Sequence, residues 1–336
     1  MQGASGFGPS ADAFVKLNLL GESPRFREAL RVIGRIACAD ATVLIEGETG
    51  TGKELAARAL HYLSRRSEFP FIPVNCGALP DTLLESELFG HERGAFTDAR
   101  RARAGLVAQA EGGTLFLDEV EAMTPRAQGV LLRFLEDHMY RPVGGGSLAG
   151  SDLRIIAATN VDLAELARQN RFRRDLLFRF STLCVTMPPL RERGHDVVLL
   201  AEHFLRRLAA QYARPPKRLH PDSVAWLLAH DWPGNARELE NLMHREFLLT
   251  DGNTIRLAAA DGPARAQSGP VPVQTFKCAK ARAIAQFEKA YLGELLSKTS
   301  GNISVAARIS QKDRSALNKL VKKHGLVCER FRTRPE

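Results

Sequence analysis

Short, nearly continuous apolar runs at Val43 to Ile45, Phe71 to Val74, Leu115 to Leu117 and Ile155 to Ala158 are separated by stretches with helical apolar spacing. Strands covered on both faces read this way, so the pattern predicts parallel strands buried between helices. Ahead of the first run, Gly21-Glu-Ser-Pro24 leads into Phe26, Leu30, Ile33 and Ile36, a helix that Ser23 can cap and whose first turn suits Pro24. From about His195 the pattern turns wholly helical, through Val197 to Tyr212, Pro221 to His230 and Ala236 to Leu249. Ala258 to Gln274, rich in Ala, Gly and Pro, reads as a linker. Three shorter helical stretches follow it, Phe287 to Leu296, Ile303 to Ile309 and Asp313 to His324, and there is no internal repeat.

Composition narrows the class. With 336 residues, 44% hydrophobic and 25% charged, the chain can bury a sizeable core across two or three domains. No run reaches about 18 apolar residues, and Met1 to Lys16 has no apolar signal core, so a cytoplasmic protein without membrane contact is expected. Cys38, Cys76, Cys184, Cys278 and Cys328 lie too far apart for a zinc or redox motif. Charge is uneven. Lys277 to Glu336 carries 14 Lys and Arg against 5 Asp and Glu, whereas the remainder balances at 33 against 33. A basic terminal segment on a neutral body suits a polyanion, since neutralising phosphates releases counterions, although a solvated basic tail has the same composition.

Two motifs carry the candidate chemistry. Gly47-Glu48-Thr49-Gly50-Thr51-Gly52-Lys53 follows the first apolar run and opens a helix, the context of a phosphate-binding loop. Its backbone N–H groups can surround phosphate, and Lys53 adds a point charge. Glu54 stands where Ser or Thr ordinarily helps to hold magnesium, so that ligand must come from elsewhere. Downstream, Gly112-Gly-Thr-Leu-Phe-Leu-Asp118-Glu119 is a strand ending in two carboxylates, of which Asp118 is assigned to hydrated Mg2+ and Glu119 to the attacking water. Alone, such a pair more often decorates a helix start. Asn160, after the run ending at Ala158, can bond that water or the terminal phosphate, or can be a turn asparagine.

These strings, with VNCGAL (Val74 to Leu79), ESELFGHERGAFT (Glu85 to Thr97), FRRDLLFR (Phe172 to Arg179) and WPGNARELEN (Trp232 to Asn241), resemble the AAA+ domain of bacterial sigma-54-dependent transcription activators over nearly all of Leu20 to Leu249. Glu54 after the lysine is what that family uses. The resemblance implies ATP and Mg2+ as cofactors, with Gly47, Glu48, Thr49, Gly50, Thr51, Gly52, Lys53 and Glu54 binding nucleotide. It makes Asn75 a switch restraining Glu119, and Arg173 and Arg179 fingers that reach into a neighbour's site within a ring, a hexamer by family likeness. Read locally, those arginines can instead belong to a basic amphipathic segment, paired to Asp175 or solvated. The resemblance makes Arg237 a second phosphate sensor; locally, Asn235 can cap that helix and Glu238 complete a capping box, with Arg237 merely in the first turn.

Gly94-Ala-Phe96-Thr97-Asp98-Ala99 departs from the family's sigma-54-gripping loop, which reads Gly-Ala-Phe-Thr-Gly-Ala. Asp tolerates left-handed backbone, so the loop can keep its shape while gaining a carboxylate. The resemblance implies sigma-54 contact through Phe96 and Thr97; the plain alternative is a buried Phe in a surface turn. The C-terminal stretches resemble a Fis-type helix-turn-helix. Arg314, Ser315 and Asn318 would face base edges and Lys319 and Lys322 phosphates of double-stranded DNA, with Asp313 as cap and Leu317 and Leu320 inward. A solvated amphipathic helix pair is the alternative.

The expected fold class is α/β: an AAA+ P-loop parallel sheet with helices on both faces, an all-helical lid, then a small all-α helix-turn-helix domain. The expected boundaries are a flexible N-terminus (1–19), the nucleotide-binding subdomain (20–190), the lid (191–257), a linker (258–276), the DNA-binding domain (277–326) and a basic tail (327–336). The resemblance implies an activator that binds an upstream site and uses ATP to remodel sigma-54 RNA polymerase holoenzyme. Two alternatives stand beside it: a regulator that keeps the ATPase fold without engaging sigma-54, and an unfoldase with an incidental basic tail. The roughly 20 residues before Leu20 are too few for a sensory domain of usual size. Control by a protein acting in trans, control by expression level, and a chain that is a fragment are the three options this leaves.

Overall fold

The computed structural model describes residues 11–78, 81–95, 99, 101–257, 292, 295–296, 299, 302–310 and 313–323. The chain divides into two compact units, Met1–Asp261 and Gly262–Glu336. In the first, five parallel strands, β1 (Val43–Glu46), β2 (Phe71–Asn75), β3 (Thr114–Asp118), β4 (Arg154–Thr159) and β5 (Leu183–Thr186), form one sheet in the order β2-β3-β4-β1-β5. The first four coincide with the apolar runs. β5 carries no such run because it is an edge strand whose exposure alternates and only Val185 is buried.

Alternation along each central strand feeds two separate cores. Val43, Ile45, Phe116, Ile156 and Ala158 pack with α1 (Ala11–Lys16), α2 (Pro24–Ile36) and α3 (Lys53–Tyr62). Leu44, Leu115, Leu117, Ile155 and Ala157 face the opposite way, toward α4 (Asp81–Phe89), α5 (Leu106–Gln109), α6 (Pro125–Asp137), α7 (Leu163–Arg168) and α8 (Arg174–Phe180). Each fully buried Leu, Ile or Phe contributes about 1.5–3 kcal/mol, which makes the continuous apolar runs the main source of order. Arg154 is 3% exposed; its guanidinium donates to the carbonyls of Ile36, Ala37, Ala41 and Leu60, with the Asp40 carboxylate adding a more distant attraction. It thereby ties β4 to the C-terminal ends of α2 and α3, where carbonyl dipoles favour a cation. Residues 11–19 correct the expectation of a flexible N-terminus: α1 forms, and Phe14 and Leu19 are buried in the same core as Ile33. Two apolar anchors outweigh the small-residue composition around them.

The lid comprises a 3-10 turn (Leu190–Glu192), α9 (Asp196–Gln211), α10 (Pro221–Ala229) and α11 (Asn235–Leu249) around Leu200, Phe204, Trp232, Leu239 and Phe247. It is not wholly helical, because Arg218–Leu219 pairs in parallel with Thr254–Ile255. Ser23 does not cap α2 as expected. Its hydroxyl donates to Asp196 Oδ2 at 2.8 Å, while the Glu22 and Ser23 N–H groups donate to Oδ1, so a buried carboxylate of the lid claims the segment. Among the described residues no helix is long and apolar enough to cross a membrane.

In the second unit, α12 (Ile303–Ile309) and α13 (Arg314–Lys323) pack through Ala306, Ala307, Leu317 and Val321 with Leu292, Leu295 and Leu296. Asn302 and Asp313 accept the first N–H groups of the two helices. The linker (258–276) and basic tail (327–336) lie outside the described residues.

Candidate active site

The phosphate loop joins β1 to α3, and its shape depends on glycine at two places. Gly52 precedes α3 at φ +97°, a left-handed turn that aims the first helical N–H groups into the loop. Gly50, at φ +79°, lies against the lid, where a Cβ would stand 2.3 Å from the Gly234 carbonyl oxygen. Lys53 Nζ donates to the carbonyls of Gly47 and Glu48 at 2.7 and 3.1 Å. Burial pushes its ammonium pKa down, against the pull of Asp118, Glu121 and Glu119 upward. A partly desolvated ammonium, held here by two loop carbonyls beside a helix N-terminus, is suited to an anionic polyphosphate.

The C-terminal ends of the strands bring the acidic groups to the same place. Asp118 ends β3 opposite Asn75 of β2. Burial raises its carboxyl pKa, with the Glu119 N–H and Lys53 opposing. Glu119 follows in the left-handed region at φ +56°, which turns the chain into a 3-10 segment, Val120–Ala122. A non-glycine residue held there costs on the order of 1 kcal/mol and commonly marks a functional position. A Cβ on Gly77 would meet Glu119 Oε2 at 2.8 Å and Asn75 Oδ1 at 3.3 Å, so both side chains converge over Gly77. Asn75 Oδ1 accepts from the Gly77 and Ala78 N–H groups, and among the described residues Asn75 makes no hydrogen bond to Glu119. Glu121, two residues on, accepts the Asn160 N–H through Oε1 at 3.4 Å and keeps Oε2 buried without a partner.

A cavity of about 380 Å³ collects Thr49, Gly50, Thr51, Gly52, Lys53, Glu54, Asp118, Glu119, Asn160 and Arg237, within the usual range for small-molecule sites. Gly47 and Glu48 do not line it. The Glu48 carboxylate, expected to bind nucleotide, instead takes a two-pronged bond from Arg191 at 2.8 and 2.5 Å, because that arginine and Asn235 lie on the opposite side of the loop. Glu54 Oε1 accepts from Arg58, one turn along α3. Asn235 does not cap α11 as expected. Its φ of +52° throws the amide toward the phosphate loop, where it donates to Glu48 and to the Thr49 carbonyl and accepts the Leu190 N–H. Only the Glu238 half of the capping box forms, onto the Gly234 N–H.

The cavity's other wall was not read from the sequence: Leu19, Leu20, His203, Phe204 and Arg207 belong to no motif. Burial, with Arg207 and Arg206 nearby, pushes the His203 pKa down and favours a neutral imidazole. Glu121 could have been found from its place beside Asp118-Glu119.

Arg173 and Arg179 stand apart from this cavity, on and beside α8. Arg173 is paired with Asp175 at 3.0 and 2.7 Å, as local reading suggests, and Arg179 faces Glu136 at 3.9 Å. Both are about half exposed. Phe96, Thr97 and Asp98 lie outside the described residues; flanking them, the Gly94 N–H donates to the Ala99 carbonyl at 2.9 Å. On α13, Arg314, Ser315 and Lys319 are exposed and Asn318 half-buried, while the side chain of Lys322 lies outside the described residues. The Ser315 hydroxyl donates to Asp313 Oδ1.

Residues 19–186 match the sigma-54 interaction domain and residues 191–268 the AAA+ ATPase lid domain. The chain belongs to the sigma-54 interaction domain family. It is 43% identical over 300 residues to the transcriptional regulatory protein ZraR of Salmonella typhimurium, covering 89% of this chain and 67% of ZraR. It is 39% identical over 320 residues to the nitrogen fixation protein AnfA of Azotobacter vinelandii, covering 95% of this chain and 60% of AnfA. Among solved structures, NtrX from Brucella abortus in complex with ATP matches with a TM-score of 0.70 and 35% identity over 91% of this chain and 69% of NtrX. The AAA+ fold and a family of transcriptional regulators are thereby established, and the chain spans roughly two thirds of the length of these relatives.

Proposed function

We propose that this chain binds ATP in the cavity between the phosphate loop and the lid, hydrolyses it as a ring, and uses the cycle to remodel sigma-54 RNA polymerase from an upstream DNA site. The observation that carries this reading is the convergence of Lys53, Asp118, Glu119, Asn160 and Arg237 on one cavity in a member of the sigma-54 interaction domain family. Mg2+ fits the site. Asp118, a hard oxygen donor, lines the cavity with Lys53, and the nearby Glu121 carboxylate, whose buried Oε2 has no partner, adds to the negative field there. Bound there, Mg2+ would neutralise charge developing on the transferred phosphoryl group.

The chain's own residues then divide the work. Lys53 and the loop N–H groups hold the phosphates, Asp118 holds the hydrated metal, and Glu119 orients and deprotonates water, with Asn160 beside it. Asn75 restrains Glu119 by sharing the space over Gly77. Arg237 touches the phosphates from the lid, so that hydrolysis changes the lid angle. Arg173 and Arg179, remote from their own cavity, serve the site of a neighbouring subunit, for which Arg173 must leave Asp175. Phe96 and Thr97 contact sigma-54, and Arg314, Ser315, Asn318, Lys319 and Lys322 hold duplex DNA.

The test is ATP-dependent open-complex formation on a sigma-54 promoter, with ATPase rate recorded in parallel for the natural chain and Asp98→Gly. Promoter melting by the natural chain is the expected result. Hydrolysis without melting, repaired only by Asp98→Gly, would favour a regulator that has given up sigma-54.

A further inference from the structure

One buried polar side chain outside the cavity is committed to two segments on which the proposed reaction depends. Gln128, on α6, is 1% exposed. Its Nε2 donates to the Met123 carbonyl at 2.9 Å and to the Arg171 carbonyl at 3.2 Å, and its Oε1 accepts the Arg173 N–H at 2.8 Å. Met123 closes the short turn that begins at Glu119, and Arg173 is the residue from which α8 starts. A single amide therefore joins the chain just beyond the catalytic strand end to the backbone of the finger arginine. All three partners are main-chain groups, so the amide fixes the path of the chain and not one rotamer.

The surface around it serves the same arginine. A Cβ on Gly129, the next residue of α6, would lie at ordinary contact distance, 3.8 Å, from Arg173 Nη1, so the guanidinium runs alongside this helix. About two turns further along α6, Glu136 faces Arg179. Both arginines are thus referenced to α6, whose first turn also takes the Met123 carbonyl through Gln128.

We propose that Gln128 is a positioning residue that couples the Asp118–Glu119 strand end of a subunit to the placement of Arg173, the arginine that this subunit offers to its neighbour. The inference rests on the ring reading above and adds the route by which one site informs the next. If the turn after Glu119 shifts with nucleotide state, Met123 moves, and the amide carries that shift to Arg173 without passing through the hydrophobic core. A side chain that merely filled space would affect its own subunit's folding and nucleotide site instead.

The experiment uses full-length chains mixed in defined ratios: Gln128→Leu, Gln128→Glu and Arg173→Ala, each alone and with excess Glu119→Gln subunits, whose own sites are dead but whose fingers are intact. Alone, Gln128→Leu is expected to lose at least about tenfold in kcat, as misplacement of a reacting group does, with KM for ATP within about twofold of the parent because cis binding is untouched. Mixing with Glu119→Gln should restore its hydrolysis, as it should for Arg173→Ala. Gln128→Glu keeps the acceptor for Arg173 and loses the donor to Met123; it should show the same repair and covers the case in which the leucine variant does not fold. If Arg173→Ala is repaired and both Gln128 variants are not, Gln128 acts within its own site and the proposal is wrong. If Arg173→Ala is not repaired either, the trans-acting finger itself fails, and the proposal falls with it.

Discussion

Asn235 Nδ2 lies 3.1 Å from Glu48 Oε2, so the first residue of the lid's last helix holds a carboxylate of the phosphate loop. The same amide accepts the Leu190 N–H at 2.7 Å, and Arg191, next in sequence, grips the same Glu48. Loop, hinge and lid thus share one polar junction whose asparagine is fully buried.

This junction separates two effects of substitution. Asn235→Gly keeps the left-handed backbone and deletes only the amide, leaving the Leu190 N–H unpaired at a cost of about 1–3 kcal/mol. Asn235→Ala adds on the order of 1 kcal/mol for a Cβ at positive φ. Thermal unfolding should therefore rank parent, glycine variant, alanine variant, with ATP affinity falling in the same order. Equal melting temperatures for parent and Asn235→Gly would show that the junction carries no coupling energy.

A second buried network sets the opposite wall of the cavity. Arg193 and Asp196 are 3% and 2% exposed; their ion pair at 3.0 Å also holds the Leu20 carbonyl and the N–H groups of Glu22 and Ser23, and Arg193 stacks over Phe26 at 3.7 Å. Removing one partner strands the other charge, so Asp196→Ala should cost about 3–5 kcal/mol in urea unfolding. Replacing both with apolar residues should cost less than the sum of the single changes. Additive losses would count against a coupled pair.

Much of this architecture was legible because it rests on local rules. Four of the five strands announced themselves as continuous apolar runs, and Gly47 to Lys53 and Gly112 to Glu119 stand at strand ends that converge. What escaped reading depends on contacts distant in sequence. Glu48 of the phosphate loop reads as a nucleotide contact, yet its carboxylate is held by Arg191, 143 positions away. Ser23 and Asn235 have the composition of helix caps, yet each has a stronger partner across the hinge, 173 and 187 positions away. Leu19 and Leu20 joined a wall with His203 and Phe204 that only the folded lid creates.

The carboxylate of Asp40 offers a pH test. Its bond to Arg66, which also holds Asp152, lowers its pKa below the ordinary 3.8. A depressed folded value means that the stabilisation is complete above the unfolded pKa and vanishes as pH falls through the folded one. Because Asp40 is 63% exposed, the effect should be small, about 0.5–1 kcal/mol. Asp40→Asn should therefore melt slightly below the parent at pH 7, and the two should converge well below pH 3.8. A difference that persisted in acid would assign the effect to packing.

Cys76 lies between Asn75 and Gly77, and burial, with Asp118, Glu121 and Glu119 nearby, pushes its thiol up to about 12. At pH 8 the thiol therefore stays in its neutral, unreactive form. Iodoacetamide followed by peptide mapping should modify exposed Cys38 in the native protein and leave Cys76 unmodified until denaturant is added. Labelling of Cys76 at the Cys38 rate would mean that β2 opens beside Asp118 and Glu119.

On the proposed DNA-binding reading, the second unit separates base reading from phosphate contact. Arg314 and Lys319 are both exposed on α13, while Leu317 between them is fully buried, so the helix has one committed face and one available face. If the available face enters a major groove, Arg314→Ala should flatten preference at one base pair, a loss of about 1–3 kcal/mol of discrimination. Lys319→Ala should weaken all duplexes alike and reduce the slope of log affinity against log salt by about 0.9. Fluorescence anisotropy on selected and scrambled duplexes across a salt series reads both quantities. The opposite assignment, with Lys319 selective and Arg314 not, would rotate the helix in the groove. Parent-like binding by both variants would remove this face of α13 from the DNA and assign the duplex to other residues of the chain, whereas a parent that bound no duplex would leave the excess positive charge of Lys277 to Glu336 as a solvated surface.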